Sequence, residues 1–286
     1  MLIRLMLFAA LLLILPWLGQ ALGGATEIVE ETGFRPPFPV FAALVAVALL
    51  AVAGGKQHTL FRLQPRYALV LSGAGAGSGW LLASLNRYAD SWYIPGTVNL
   101  LGGLVLTLLF ALLPVAVLEV RARLARIPGL LQRLARLPPL PGLDATQASA
   151  VLIPLSLLGL IGGAAWPASL AGLLWSAPLW LLLTLQVLWH ERTIFAEAVA
   201  GNWGRLLCAA AAGLLVGNLA MLAFDLAGGE LLLHVSQPAV QGGYALYGLF
   251  VLQLGDILAE PWHGKPRSAL FKGKPFPIRV ISKKVP

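Results

Sequence analysis

Charge is scarce in this chain. Asp, Glu, Lys and Arg make up only 11% of its 286 residues, less than half of what a soluble domain carries. The single cysteine, Cys208, excludes an intrachain disulfide and any cysteine-held zinc or iron–sulfur centre. Only four histidines are present, none of them paired in the middle of an apolar run, which excludes bis-histidine haem ligation by this chain alone. The apolar runs also lack a Lys, Arg, Asp or Glu near their midpoints, where ion-coupled transporters keep one.

What is abundant is apolar surface. Hydrophobic residues account for 58% of the chain and the mean hydropathy is +0.82, so most side chains must face lipid or other apolar helices. The net charge of +8 does not point to nucleic acid. Its basic residues lie in short segments beside apolar runs, as anionic lipid and the topology bias require.

A crossing needs about 17 to 25 predominantly apolar residues. That requirement predicts an all-α integral membrane bundle of about eight transmembrane helices, at 2–22, 38–54, 67–86, 97–119, 149–166, 169–189, 206–226 and 241–258. Together these form a polytopic domain over 1–260, followed by a basic tail over 261–286. Arg4 ahead of the first run, with Ala21, Gly23 and Gly24 after it, has the look of a signal peptide. The run is long enough to span, however, and a retained first helix is expected.

Threading these spans places every Lys and Arg except Arg35 and Arg87 on one side. The positive-inside bias makes that side cytoplasmic, so both termini are expected there, in a bacterial cytoplasmic (inner) membrane. Trp17, Trp92, Trp166, Trp189, Trp203 and Trp262 fall near span ends, where indoles favour the interface. Trp166-Pro167-Ala168-Ser169 reads as the tight turn of a helical hairpin.

Residues 120–137 place Leu124, Ile127, Leu131, Leu134 and Leu137 on one helical face and arginines on the other, which predicts an amphipathic segment in the headgroup layer. Pro128-Gly129 should break it. The tail, rich in proline and basic residues, offers Lys265, Arg267, Lys272 and Lys274 as a docking surface for another subunit.

Gly73, Gly75, Gly77 and Gly79 form two overlapping small-xxx-small pairs, a helix-packing pattern. They do not form a phosphate loop, because no Lys-Ser or Lys-Thr follows them. Asn99, Gln186, Asn218 and Gln253 are expected to hydrogen-bond between helices.

Catalytic signatures fail on inspection. Glu30-Glu31-Thr32-Gly33-Phe34-Arg35 resembles the Glu-Glu-xxx-Arg signature of CAAX-protease-like enzymes, but His58, His190 and His234 are followed four residues on by Arg62, Ile194 and Pro238 rather than Asn or Asp. Asp225 and Asp256 are similar to the paired aspartates of presenilin-like and prepilin peptidases. The topology puts them at opposite ends of neighbouring spans, too far apart to share a proton across about 30 Å of hydrocarbon.

The densest ionisable cluster is His190-Glu191-Arg192-Thr193-Ile194-Phe195-Ala196-Glu197. A zinc-protease helix would need a second histidine at Ile194, so no metal site is predicted. With Arg205, the residues His190, Glu191 and Glu197 make a candidate inner-face site, either for quinol or lipid or as plain solvated interface. Residues 191–198 resemble a segment of the membrane anchors of the DMSO-reductase family, which exchange electrons with quinone. The likeness covers eight residues, and two spans follow here where the anchors end. It implies His190 and Glu191 as quinol-contacting groups.

Three functions are therefore expected in turn. The first is a multi-pass subunit of a larger membrane complex, structural and quinone-contacting, with lipids and other subunits as partners. The second is a lipid-processing or lipid-moving protein acting at the inner leaflet, and the third is a small-solute transporter. No self-contained reaction is legible, and quinone is the one cofactor that the pattern allows.

Overall fold

The computed structural model describes residues 38–53, 59–94, 100–142, 145–189 and 193–259. The expected span at 2–22, the tail 261–286, Asn99, His190 and Glu191 lie outside them. Six helices are long and apolar enough to cross a bilayer, the architecture of an all-α, multi-pass integral membrane protein.

In chain order the helices are α1 (Phe38–Val52), α2 (Leu60–Leu63), α3 (Pro65–Ala89), α4 (Leu100–Leu124), α5 (Leu130–Leu134), α6 (Ala145–Leu157), α7 (Gly163–Ala165), α8 (Pro167–Leu188), α9 (Ala196–Val199), α10 (Gly204–Leu226) and α11 (Gln237–Ala259). A π-helical turn, Leu158–Gly162, joins α6 to α7, so that 146–165 forms one apolar rod. Two short strands, β1 (Trp92–Tyr93) and β2 (Leu232–Leu233), pair antiparallel outside the bundle.

The expected span at 38–54 is only 15 residues of helix, roughly 22 Å at 1.5 Å per residue, and falls short of a hydrocarbon core of about 30 Å. It is nevertheless central. Ala42, Ala43, Ala46, Val47 and Ala51 are buried between α4 and α10, and the small side chains let both neighbours approach closely.

Prolines set several helix starts. Pro65 and Pro167 occupy the first turns of α3 and α8, where a missing N–H costs nothing. Trp166 between α7 and α8 leaves helical geometry, with φ −132° and ψ 64°, and so forms the hairpin turn. α6 and the π turn then lie along α8, with Gly159 and Gly163 set against Leu173, Ala177 and Leu174. A Cβ at Gly159 would fall 2.7 Å from the Leu173 carbonyl oxygen, so the glycine permits this contact.

The glycine run in α3 divides by face. Gly75 and Gly79 pack on α4, where an added Cβ would stand 2.5 Å from Pro114 and 2.2 Å from the Phe110 ring. Gly73 and Gly77 point away and meet nothing within 4 Å. Gly79→Ala should therefore cost about 2 kcal/mol of stability through overpacking, while Gly77→Ala should be neutral or slightly stabilising. Thermal unfolding of both variants in one detergent checks this, and equal melting points would refute the assignment of faces.

Amide side chains link neighbouring helices, although Gln253 Oε1 is left buried without a partner. The Gln253 amide donates to Gln186 Oε1 across 2.6 Å between α11 and α8, with both side chains buried. Asn218 and Gln241 exchange reciprocal bonds of 2.7 and 2.8 Å between α10 and α11. Unpaired amides in hydrocarbon cost several kcal/mol by about the measure of any stranded polar group, and these partnerships fix the helix registers.

Candidate functional site: a cleft at the basic end

Contacts between distant segments identify the two ends of the bundle. At one end the start of α3, the last turn of α4, the start of α10 and the last turn of α11 converge. Arg62, Arg66, Arg121, Arg123, Arg126, Arg133, Arg136 and Arg205 all belong to this end, while Arg87 closes α3 at the other. Eight of the eighteen basic residues that the threading puts on one side thus share one end among the described residues, here called the basic end.

A strap covers part of it. α4 stops at Leu124, and Gly129 takes φ 75°, a left-handed turn that favours glycine over other residues. α5 follows, and residues 138–142 run on as an extended segment. The expected break at Pro128-Gly129 is present. Ile127, Leu131 and Leu137 are exposed beside exposed Arg126, Arg133 and Arg136, a composition suited to the boundary between acyl chains and headgroups.

The strap is fastened to the segment that leads into α10. The Trp203 N–H donates to the Leu134 carbonyl at 3.1 Å, and the Leu140 N–H to that of Ala198 at 3.0 Å. The Trp203 indole N–H donates to the Pro138 carbonyl at 2.9 Å. Gly201, at φ 82°, lies against the Leu137 carbonyl, which a Cβ would meet at 2.9 Å.

Between strap and bundle lies a cleft of about 540 Å³ lined by Arg121, Leu131, Gln132, Glu197, Asn202, Arg205 and Cys208. That volume is in the range of small-molecule sites, roughly 300–1,000 Å³. Arg205 forms an ion pair with Asp256 of α11. Beside it, the Tyr67 hydroxyl donates to the Gly255 carbonyl at 2.9 Å, tying α3 to α11. Glu197 accepts a bond of 3.2 Å from the Asn202 amide, and Asn202 Oδ1 in turn accepts from the Gly204 N–H at 3.1 Å.

Arg121 stands differently from its neighbour. It is near enough to Arg205, Asp256 and Glu197 to feel their charges, yet it makes no ion pair among the described residues. Its Nε is buried without a hydrogen-bond partner. A buried guanidinium N–H without an acceptor is costly unless water or a ligand supplies one.

Next to the cleft, Glu119 and Arg123 of α4 hold both sides of the α1–α2 connection. Glu119, only 5% exposed, accepts from the Leu60 N–H at the start of α2. Arg123 donates to the Leu50 carbonyl at 2.7 Å and lies 3.8 Å from Glu119. This charged clasp ties α4 to both sides of that connection, although the Arg123 Nε, like that of Arg121, is buried without a partner.

Of the sequence-predicted site, the structure brings Glu197 and Arg205 into one cleft. The docking residues Lys265, Arg267, Lys272 and Lys274 lie outside the described residues, as do His190 and Glu191. Asp225 and Asp256 sit at opposite ends, so they form no dyad, but Asp256 has a role of its own as the counterion of Arg205. Arg121, Asn202 and Tyr67 were not singled out in the sequence. Among the described residues, no three His, Cys, Asp or Glu side chains gather as a metal site requires.

The opposite end carries a network of polar groups. Asn86 donates to the Trp92 carbonyl at 2.7 Å and accepts from the Ser91 and Trp92 N–H groups at 3.1 and 3.3 Å. The Trp175 indole reaches Ser91 Oγ at 2.9 Å. His234 Nδ1 lies 2.9 Å from the Asp90 carbonyl oxygen and 3.3 Å from its carboxylate. These groups satisfy one another around the β1–β2 pair, so the cleft at the basic end is the better candidate for function. No family model matches this chain, and neither does any curated protein or solved structure.

Proposed function

We propose that this multi-pass membrane protein receives the polar head of a bilayer amphiphile, a lipid or a quinol, in its basic-end cleft at the cytoplasmic leaflet. The observation that carries the reading is Arg121, a guanidinium without an ion pair among the described residues, lining a cleft whose outer wall is an arginine- and leucine-bearing strap. A membrane-surface strap admits molecules from the bilayer rather than from bulk water, and basic pockets between transmembrane helices favour anionic head groups. The positive-inside bias supports the cytoplasmic assignment.

The reading of the chain as a quinone-contacting subunit of a larger complex places its docking residues in the tail, and no described residue favours it over a self-contained lipid site. Transport draws less support, since the apolar runs carry no Lys, Arg, Asp or Glu near their midpoints. The test is native mass spectrometry of protein extracted in mild detergent. A one-to-one amphiphile adduct should survive extraction and fall about tenfold in Arg121→Gln, the loss of one charged hydrogen bond, but persist in Arg87→Gln. No retained adduct, or equal retention in both variants, would overturn the reading.

A further inference from the structure

The charges in the cleft say which amphiphile it takes. Arg205 is neutralised by Asp256, which leaves Arg121 as the cation and Glu197 as the anion lining the cleft without an ion pair among the described residues. These two do not pair with each other either: the acid is held by Asn202 at 3.2 Å, and the guanidinium keeps a buried, unsatisfied Nε. One cavity thus presents a cation and an anion that are not ion-paired with each other or with any other described residue. A purely anionic head would satisfy Arg121 but set its charge against Glu197. A neutral quinol would leave both charges unmatched.

Resting on the amphiphile reading above, we propose that the cleft recognises a zwitterionic phospho-amine head, its phosphate on Arg121 and its ammonium on Glu197. Arginine offers a planar fork matched to phosphate oxygens. The carboxylate of Glu197 is exposed, as a site must be that takes a hydrated ammonium. The Gln132 and Asn202 amides, in the same lining, supply donors and acceptors for the ester oxygens between the two charges. The chemistry is that of an aminoethyl phosphodiester. A lipid carries it at the bilayer surface, and a soluble glycerophosphodiester carries the same head without acyl chains.

The experiment titrates the full chain with phosphatidylethanolamine and phosphatidylglycerol of identical acyl chains, and with soluble glycerophosphoethanolamine as competitor, reading occupancy by native mass spectrometry. The ethanolamine lipid should be preferred by about fivefold, the upper size of an exposed ion pair. Glu197→Gln should abolish that preference, weakening the ethanolamine lipid and strengthening phosphatidylglycerol, whose anionic head then no longer faces a carboxylate. Arg121→Gln should weaken both lipids, and Arg121→Lys should restore part of the binding. Equal occupancy of the two lipids by the native chain, or a preference that survives Glu197→Gln, overturns the zwitterion assignment but leaves the amphiphile reading standing. Competition by the soluble head as strong as by the lipid supports the head assignment and sinks the bilayer source. Retention of neither lipid sinks both.

Discussion

Gly248→Ala should lower stability by about 3 kcal/mol, at the top of the overpacking range, and push apart the two C-terminal helices. The Cβ it adds would stand 2.1 Å from the Ala209 carbonyl oxygen and 3.0 Å from the Gly213 nitrogen. Both are backbone atoms within α10, so no rotamer change relieves the clash. The reciprocal variant, Gly213→Ala, meets the Tyr244 carbonyl oxygen at 2.1 Å and should cost a similar amount. Once the helices have separated, the second methyl group meets less resistance. The double variant should therefore lose clearly less than the two singles together. Gly243→Ala is the control, since nothing lies within 4 Å of it on the same helix. Chemical or thermal unfolding in one detergent reads all four. A Gly248→Ala protein as stable as the Gly243→Ala protein would show that α10 and α11 do not pack at this distance.

Removing Arg205 should be the next most damaging change. In Arg205→Leu the Asp256 carboxylate, 26% exposed, loses its counterion at the edge of the bundle, a loss of about 3 kcal/mol for a partly buried pair broken from one side. Tyr67 offers no replacement, because its hydroxyl is already given to the Gly255 carbonyl, and Arg121, whose charge also reaches Asp256, offsets only part of the loss. The double variant Arg205→Leu/Asp256→Leu removes both desolvation penalties and replaces them with apolar contact. It should recover most of the loss. Melting temperatures of the two singles and the double make the comparison. Stabilities that simply add would mean that the two charges do not act as a pair.

These contacts follow a register that the sequence holds in simple form. Arg205 and Asp256, Gly213 and Gly248, and Gly217 and Tyr244 are each equidistant in the chain from the turn at Glu230-Leu231. A straight antiparallel hairpin brings equidistant residues level. Counting outward from that turn would have paired Arg205 with Asp256 and exposed the glycine seam, whereas Asp256 drew notice only as half of a dyad with Asp225. The bundle itself was legible because helix length and hydropathy are local properties. The glycines of α3 could be recognised as packing residues but not assigned to a face, since both pairs have the same spacing and only the neighbour, α4, breaks the symmetry. Arg121 was read as one more cytoplasmic charge. Its significance depends on which acids Arg205 and Asn202 have already engaged, and that is a tertiary fact. The span at 38–54 is already the shortest in the sequence; what the sequence leaves out is that this alanine-rich helix serves as a filler between two longer helices.

The end remote from the cleft is stitched by the paired strands, the Asn86 bonds, the Trp175–Ser91 contact and the His234–Asp90 contact. The basic end, by comparison, encloses open volume. That volume persists although α3, α10 and α11 are joined at the basic end by the Tyr67–Gly255 bond and the Arg205–Asp256 pair. A molecule that enters therefore meets walls already set in place, and little of its binding free energy is spent on ordering them.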